Sequence, residues 1–485
     1  MRRPPEPEAQ TADISLKWAM SLEQVWACMA AILPAIVAVV LIGTIDLAYQ
    51  VRAGDIMLRT HSLIRTNALS FAGPGLPWLD QQWLAQLLFA AAYRPLGWLG
   101  LTLLQGGLVA ATFAFVYLAC REAGTDPMRA SLLSLAGFAV AATGLTLRPQ
   151  LLGAVLFAAT LWLLAGRRRH LRRLWLVPPL VALWASLHGS FILGVLLGGL
   201  AWLEDRWSRS PSERTTLQVT AASALATLVN PFGYHVWTYA VGISTNRLIA
   251  RLVSEWQPPS IRRWDDAMFF VSLGVVAVVL ARRRESTRWP HLIALLVFLF
   301  LALEATRSVL WWGLVVPPTL AAIVGARPER AARPAPSLLH TAIVACVAAV
   351  FFAFVALTSS GDSIKAPGRN VANVPAGITS ELQKVLRPGD RVFNAQIWGS
   401  WFELALPRNP VFVDSRIEVF PASVVSDYLA VSAGRQGWQR ILQRWRVRAV
   451  AAARSQQAEL IPLISHDRGW RLVYQDKDGL VFVRR

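Results

Sequence analysis

Seven ionisable residues stand at or near the ends of long apolar runs, and their types are those that move protons and hold anions. Asp46 follows "CMAAILPAIVAVVLIGTI", a stretch with no charge, and Asp55 comes soon after it in "AGD". Asp80 lies in "WLDQQW", Arg148 in "LRPQ", His188 in "LHGS", Glu255 in "SEWQPP" and Arg307 in "EATRS". A carboxylate can take a proton from a hydroxyl or hold a divalent cation. A guanidinium stays charged and grips two anionic oxygens at once, and an imidazole can orient a group or shuttle a proton. Each residue also has a plainer use. Asp46 suits an interfacial cap, Asp80 an N-cap, Arg148 a side chain snorkelling ahead of Pro149, and His188 a brace for a tight turn between helices. Asn230 with Pro231 suits a helix terminator, and Glu304 could simply pair with Arg307.

The elements that must position these groups are membrane spans. The chain has 485 residues, 55% hydrophobic and 16% charged, with a mean hydropathy of +0.43, which is too apolar for an ordinary soluble enzyme. Apolar runs recur from Trp26 to Leu357, and a helix needs roughly 20 residues to cross the hydrocarbon core. We read about eleven spans on that length rule, near 26–45, 98–119, 129–146, 150–166, 173–187, 189–203, 215–229, 267–281, 290–304, 309–325 and 338–357. The Arg-rich segments "GRRRHLRR", "ARRRESTR" and "RPERAARP" then fall on one side, which the positive-inside rule makes cytoplasmic together with the N-terminal segment 1–25. The opposite face receives all seven residues named above. Ionisable groups at membrane-embedded helix ends are costly and tend to face a wet cavity, so this pattern predicts one outward-facing cavity holding Asp46, Arg148, His188 and Arg307.

The predicted fold is an all-α polytopic transmembrane bundle, 26–357, with a long first outer loop at 46–97, followed by a C-terminal extracytoplasmic α/β domain. Within the loop, "WLDQQWLAQLLFAAAYRPLGW" is amphipathic and too interrupted to cross, which predicts an interfacial helix. The segment 358–370 reads as a linker. The remainder, 371–485, alternates short β-rich runs with helical patterns and ends in a hairpin signal around Asp478 and Gly479.

Taken as an ordered set, "DLAYQVRAGDIMLRT", "LPWLDQQWLAQLLFAAAYRPLGWLGL", "LRPQLLGAVLFA", "WASLHGSFILGVLLGGL", "LVNPFGYHVW" and "EWQPPS" resemble a widespread family of bacterial polytopic membrane proteins. That family is similar to the membrane glycosyltransferases of the C fold class, which take sugars from polyprenyl-phosphate donors. The resemblance implies a bacterial inner-membrane glycosyltransferase acting on a cell-envelope acceptor, with a hexosyl or pentosyl donor and membrane lipid as its partners. It also implies that Asp46, at the position of the acidic residue after the first span, is a catalytic base or metal ligand, so a divalent cation is a cofactor it leaves open. Asp55 matches a second acidic position and His188 joins them as a catalytic candidate, while Asp80, Arg148, Glu255 and Arg307 become substrate-binding candidates. Asn67 and Gln82 stand where relatives carry acids, which weakens a two-carboxylate metal site. In the outer domain "IWGSWFELALPRNPVFVDSRIEVF" loosely resembles the acceptor-reading segment of oligosaccharyltransferases through Trp398, Gly399 and Asp414. It lacks that segment's Asp-Tyr pair, and the same residues suit a domain core with a buried Asp414–Arg416 pair.

Other classes remain on the table or fall away. A transporter or flippase for a lipid-linked or small polar substrate, or a non-catalytic envelope assembly protein, would also be polytopic, although no internal repeat of the kind many transporters show is visible. The net charge of +19 is scattered between spans rather than gathered on one soluble face, which argues against nucleic acid. The three cysteines all lie in apolar runs, so a disulfide framework or thiolate metal site is not expected. The sequence has no HExxH, GxSxG or P-loop pattern.

Overall fold

A computed structural model describes residues 18–40, 44–245, 254–325, 335–359, 371 and 374–485. Most of the chain is helical. The helices Leu22–Val40 and Leu338–Ser359, the long helix Trp83–Glu122, and the segments Trp264–Arg282 and Thr306–Val324 are long and apolar enough to cross a membrane, and Pro149–Ala165 and Trp289–Glu304 are shorter apolar helices. Together they make a multi-pass membrane protein. The elements between them are shorter, among them Pro127–Ala141, Val177–Ala185, Ile192–Trp207 and Glu213–Ala226. The helix expected near 173–187 is a 3-10 turn at Leu171–Leu176 followed by nine helical residues. The helix His235–Ser244 was hidden in the sequence behind the turn residues of "NPFGYHVW". The basic segment at Arg327–Pro334 and most of the linker at 358–370 lie outside the described residues.

Two helices of the first loop build the floor of the site. Asp46–Thr60 packs along the first part of Trp83–Glu122, and the two approach so closely at Gly54 that an added Cβ would lie 2.0 Å from the Gln86 carbonyl oxygen. The "AGD" motif therefore has a packing reason at its glycine. Helix Trp83–Glu122 is two helices joined at Gly97, whose φ of 55° and ψ of −137° break the helical path. Glycine accepts that conformation without a Cβ penalty. The break turns the amphipathic segment expected at the interface into the helix expected to span.

The C-terminal domain carries a four-stranded sheet in the order β1-β2-β4-β3, with β1 at Arg391–Asn394, β2 at Val447–Ala453, β3 at Trp470–Gln475 and β4 at Gly479–Arg484. β1 and β2 are parallel, and the other two pairings are antiparallel. β2 is almost wholly buried, as a strand covered on both faces must be. At the free edge of β1, Val411 bridges Val392 on one side and Ser70 on the other, so the first loop extends the domain's sheet. Helix Gln396–Ala405 packs on Asp46–Thr60, and Trp401 stacks on Trp98 with ring centroids 6.4 Å apart. The domain is seated on the end of the bundle that carries Asp46.

Candidate active site

Local chain geometry brings each polar group to that end. Arg148 precedes Pro149, which excludes the helical conformation for the residue before it. Arg148 is accordingly extended, at φ −140° and ψ 163°, and stands as N-cap of Pro149–Ala165. His188 is likewise extended and caps the 3-10 turn Gly189–Phe191, its Nδ1 accepting from the Ser190 N–H at 3.1 Å. Arg307 lies in the 3-10 turn Thr306–Ser308, and the Thr306 N–H donates to the Gln257 carbonyl at 2.9 Å. That bond fixes the "SEWQPP" loop beneath Arg307. The result is a cation–π contact of 4.4 Å between Arg307 and Trp256.

Asp46, Asp80, Arg148, His188, Glu255 and Arg307 line one cavity of about 180 Å³. Arg148 is its organiser. Its Nε donates to Thr44 Oγ1 at 2.9 Å, one Nη donates to Glu255 Oε1 at 2.6 Å, and the other lies 3.6 Å from Asp46 Oδ2. Arg307 differs, because among the described residues no carboxylate oxygen lies within the 4.0 Å of an ion pair. Glu304 is exposed and does not pair with it. The cavity therefore holds one matched guanidinium and one unmatched one.

The carboxyls behave differently from what their cationic neighbours alone would dictate. On its own, the neighbouring Arg148 guanidinium would hold Asp46 in its charged form. Burial instead raises its carboxyl above the usual range, with Arg148 and the Ser415 hydroxyl pulling the other way. Asp80 is 2% exposed, accepts from Gln86 Nε2 at 2.7 Å and leaves its second oxygen without a hydrogen-bond partner. Burial pushes it up to about 7, against the pull of Arg416. Gln82 rather than Asp80 holds the N-cap position of the next helix.

Three candidates lie away from the cavity. Asp55 is ringed by Arg59 at 2.9 Å, Arg94 at 3.0 Å and Arg52 at 3.6 Å. Trp398 is 3% exposed in the domain core, against Phe402. Asp414 is fully buried and receives Arg416, whose Nε donates to Oδ1 at 3.0 Å. Arg416 also donates to Asn67 at 3.2 Å and lies 4.4 Å over Trp78. Asn67, noted for replacing an acid, thus ties the first loop to the C-terminal domain. Glu403, 3.5 Å from Arg416, completes this knot.

No family model and no curated protein sequence matches the chain. Solved structures do. Arabinofuranosyltransferase AftD from Mycobacteria aligns with 96% of this chain and 42% of its own, at a TM-score of 0.55 and 15% identity. ArnT from Cupriavidus metallidurans, bound to undecaprenyl phosphate, aligns over 93% and 96% at 0.51 and 12%. An Archaeoglobus fulgidus oligosaccharyltransferase tethered to an acceptor peptide aligns over 95% and 74% at 0.50 and 11%. The chain resembles the membrane glycosyltransferases of the C class in fold. At these identities the likeness concerns the fold alone.

Within that fold the C-terminal domain supplies part of the cavity, a contribution that no motif announces. Ser415 and Glu418 line it from above, and Tyr49 and Tyr239 from the sides. Ser415 and Glu418 lie more than 350 residues along the chain from Asp46, so no spacing links them to it. Among the described residues, no cluster of three or more His, Cys, Asp or Glu is placed to hold a metal ion. Of the carboxylates present, Glu255 is taken up by Arg148 and Asp46 lies beside it. Among the described residues they do not assemble a cation cage.

Proposed function

We propose that the protein is a glycosyltransferase of the bacterial inner membrane, moving a sugar from a polyprenyl-phosphate donor to a cell-envelope acceptor at the outer face. The observation that carries this reading is the cavity in which the Asp46 carboxylate lies 3.6 Å from Arg148 while Arg307, among the described residues, has no carboxylate within ion-pair distance and only the more distant Glu255 acting on it. An unmatched guanidinium braced on Trp256 is suited to a phosphate. The fold likeness to ArnT bound to undecaprenyl phosphate supports that ligand class. It places no individual residue.

The chemistry follows from the groups present. The acceptor oxygen bonds to the anomeric carbon as the bond from that carbon to the phosphate oxygen breaks. Asp46 takes the hydroxyl proton, and its raised pKa brings it nearer the value a base needs at neutral pH. The electron pair leaves on the phosphate, whose charge Arg307 holds with help from Arg148. Topology completes the proposal, with about eleven crossings on the length rule and the C-terminal domain in the periplasm. Mass spectrometry of lipid-linked sugars and envelope glycans tests it. Deleting the gene should make one donor accumulate and one glycan lose a sugar, and unchanged profiles of both would overturn the reading.

A further inference from the structure

The cavity around Asp46 is not closed on the side of the C-terminal domain. A second cavity of about 290 Å³ adjoins it, bounded by Leu79, Gly242 and Val419, and Trp78, Tyr239, Ile243 and Glu418 line both. Glu418 thus stands at the junction of the two. It belongs to the 3-10 turn Ile417–Val419, directly after the Asp414–Arg416 knot that pins this segment to the first loop. The Tyr239 phenol interacts with its carboxyl from the membrane bundle. Among the described residues Glu418 has no ion pair, in contrast to Glu255, which Arg148 has already matched.

We infer that Glu418 and Tyr239 form the acceptor subsite, and that the acceptor they hold is a neutral, hydroxyl-rich carbohydrate. This rests on the glycosyl-transfer reading above and names the substrate on the side that reading leaves open. Charge selects the class. A cationic amine entering here would approach Arg148 and Arg307 in the same cavity, with the Arg416 guanidinium behind Trp78. An anion on the Glu418 side, away from the arginines that hold the donor phosphate, would meet that unpaired carboxyl. Neighbouring hydroxyls fit both restrictions. One can donate to the Glu418 carboxylate while another accepts from Tyr239, and Gln50, Gln82 and Ser415 offer further neutral hydrogen-bonding groups along the path to Asp46. Glu418 keeps an exposed surface, and loss of hydration among the groups lining the two cavities raises its carboxyl to about 7. It can therefore accept or donate near neutral pH. The acceptor hydroxyl to be glycosylated reaches Asp46 from this side, while the donor phosphate lies at Arg307.

Saturation-transfer NMR on the detergent-solubilised full chain tests the assignment with four probes. These are methyl mannoside and methyl galactoside as neutral sugars, methyl glucosaminide as the cation and methyl glucuronide as the anion. Undecaprenyl phosphate binding is measured separately on the same samples. The expected result is saturation of a neutral glycoside that falls at least fivefold in Glu418→Ala and in Tyr239→Phe, with undecaprenyl phosphate binding unchanged. Arg307→Ala should show the reverse, losing the lipid phosphate and keeping the glycoside. Retained glycoside saturation in Glu418→Ala, a preference for either charged probe, or no glycoside binding alongside intact lipid binding would each overturn the acceptor subsite. Absence of undecaprenyl phosphate binding from the unmodified protein would instead count against the glycosyl-transfer reading. If Glu418→Ala fails to fold, Glu418→Gln replaces it, with loss of the glycoside signal expected to be partial and a full signal counting against the subsite.

Discussion

Two charged clusters lie close together at the junction of bundle and domain, and they differ in how far they are sealed from water. In the knot of Asp414, Arg416 and Glu403 all three side chains are buried, and Arg416 is met by a carboxylate, the Asn67 oxygen and the Trp78 ring. In the cavity of Asp46, Arg148 and Arg307 the charges are open to a water-sized space, and among the described residues Arg307 has no carboxylate within ion-pair distance. The same residue types therefore serve two ends. A charge sealed from water against a counter-charge holds structure together, even though Arg416 Nη1 and Glu403 Oε2 find no hydrogen-bond partner there, whereas a charge with no ion pair beside an open space is ready for a ligand.

The contrast breaks most visibly at Asp414. Asp414→Ala leaves Arg416 buried without its main counter-charge, which costs about 3–5 kcal/mol. The expected outcome is loss of folded protein, seen as lost accumulation in the membrane and a collapsed melting transition. Asp46→Asn should do the opposite, keeping the melting temperature and lowering turnover by roughly a hundred- to ten-thousand-fold, the usual worth of a general base. Steady-state transfer with radiolabelled donor would show it. Arg307→Ala should weaken donor binding by about ten- to a hundredfold, as expected for losing a charged hydrogen bond of about 1.5–3 kcal/mol.

Asp80 sharpens the comparison through pH. Its folded pKa, about 7, lies above the ordinary 3.8, so the folded state binds a proton more tightly than the unfolded one. Its contribution to stability is complete below pH 4 and is lost as pH rises through 7. Asp80→Asn, which cannot ionise, should leave stability nearly unchanged below pH 4 and raise it at pH 8 by about 4 kcal/mol, measured by thermal unfolding in detergent. The smallest effect is expected at Asp55. Its three arginines are partly solvated, so Asp55→Asn should cost about 1 kcal/mol or less and leave transfer rates near the unmodified value.

What could be read from the sequence was local. Apolar runs marked the helices, and Pro149 marked the place where Arg148 would stand proud of one. The convergence of Asp46, Arg148, His188 and Arg307 followed from each lying at the same end of a helix in one bundle. The failures were of distance and of pairing. Glu418 and Ser415 enter the site from a separate domain, and nothing in "DSRIEVF" announces a neighbour near Asp46. Asp55 sat in a suggestive motif, yet its fate was decided by Arg94, a residue of another helix. The direction of the Asp46 shift comes from desolvation on burial, which a count of neighbouring charges leaves out.

The bridge from Ser70 through Val411 to Val392 has a consequence in time. Asn67 and Arg416, which lock the same junction, are 349 residues apart in the chain. At synthesis rates of about 5–20 residues per second, the first loop waits roughly 20 to 70 s for the strand edge that completes it. During that interval the loop's carboxyls lack their roof, and contacts of such high sequence separation form late in folding. The growing protein therefore holds Asp46 in an unfinished site until the final domain has folded onto it.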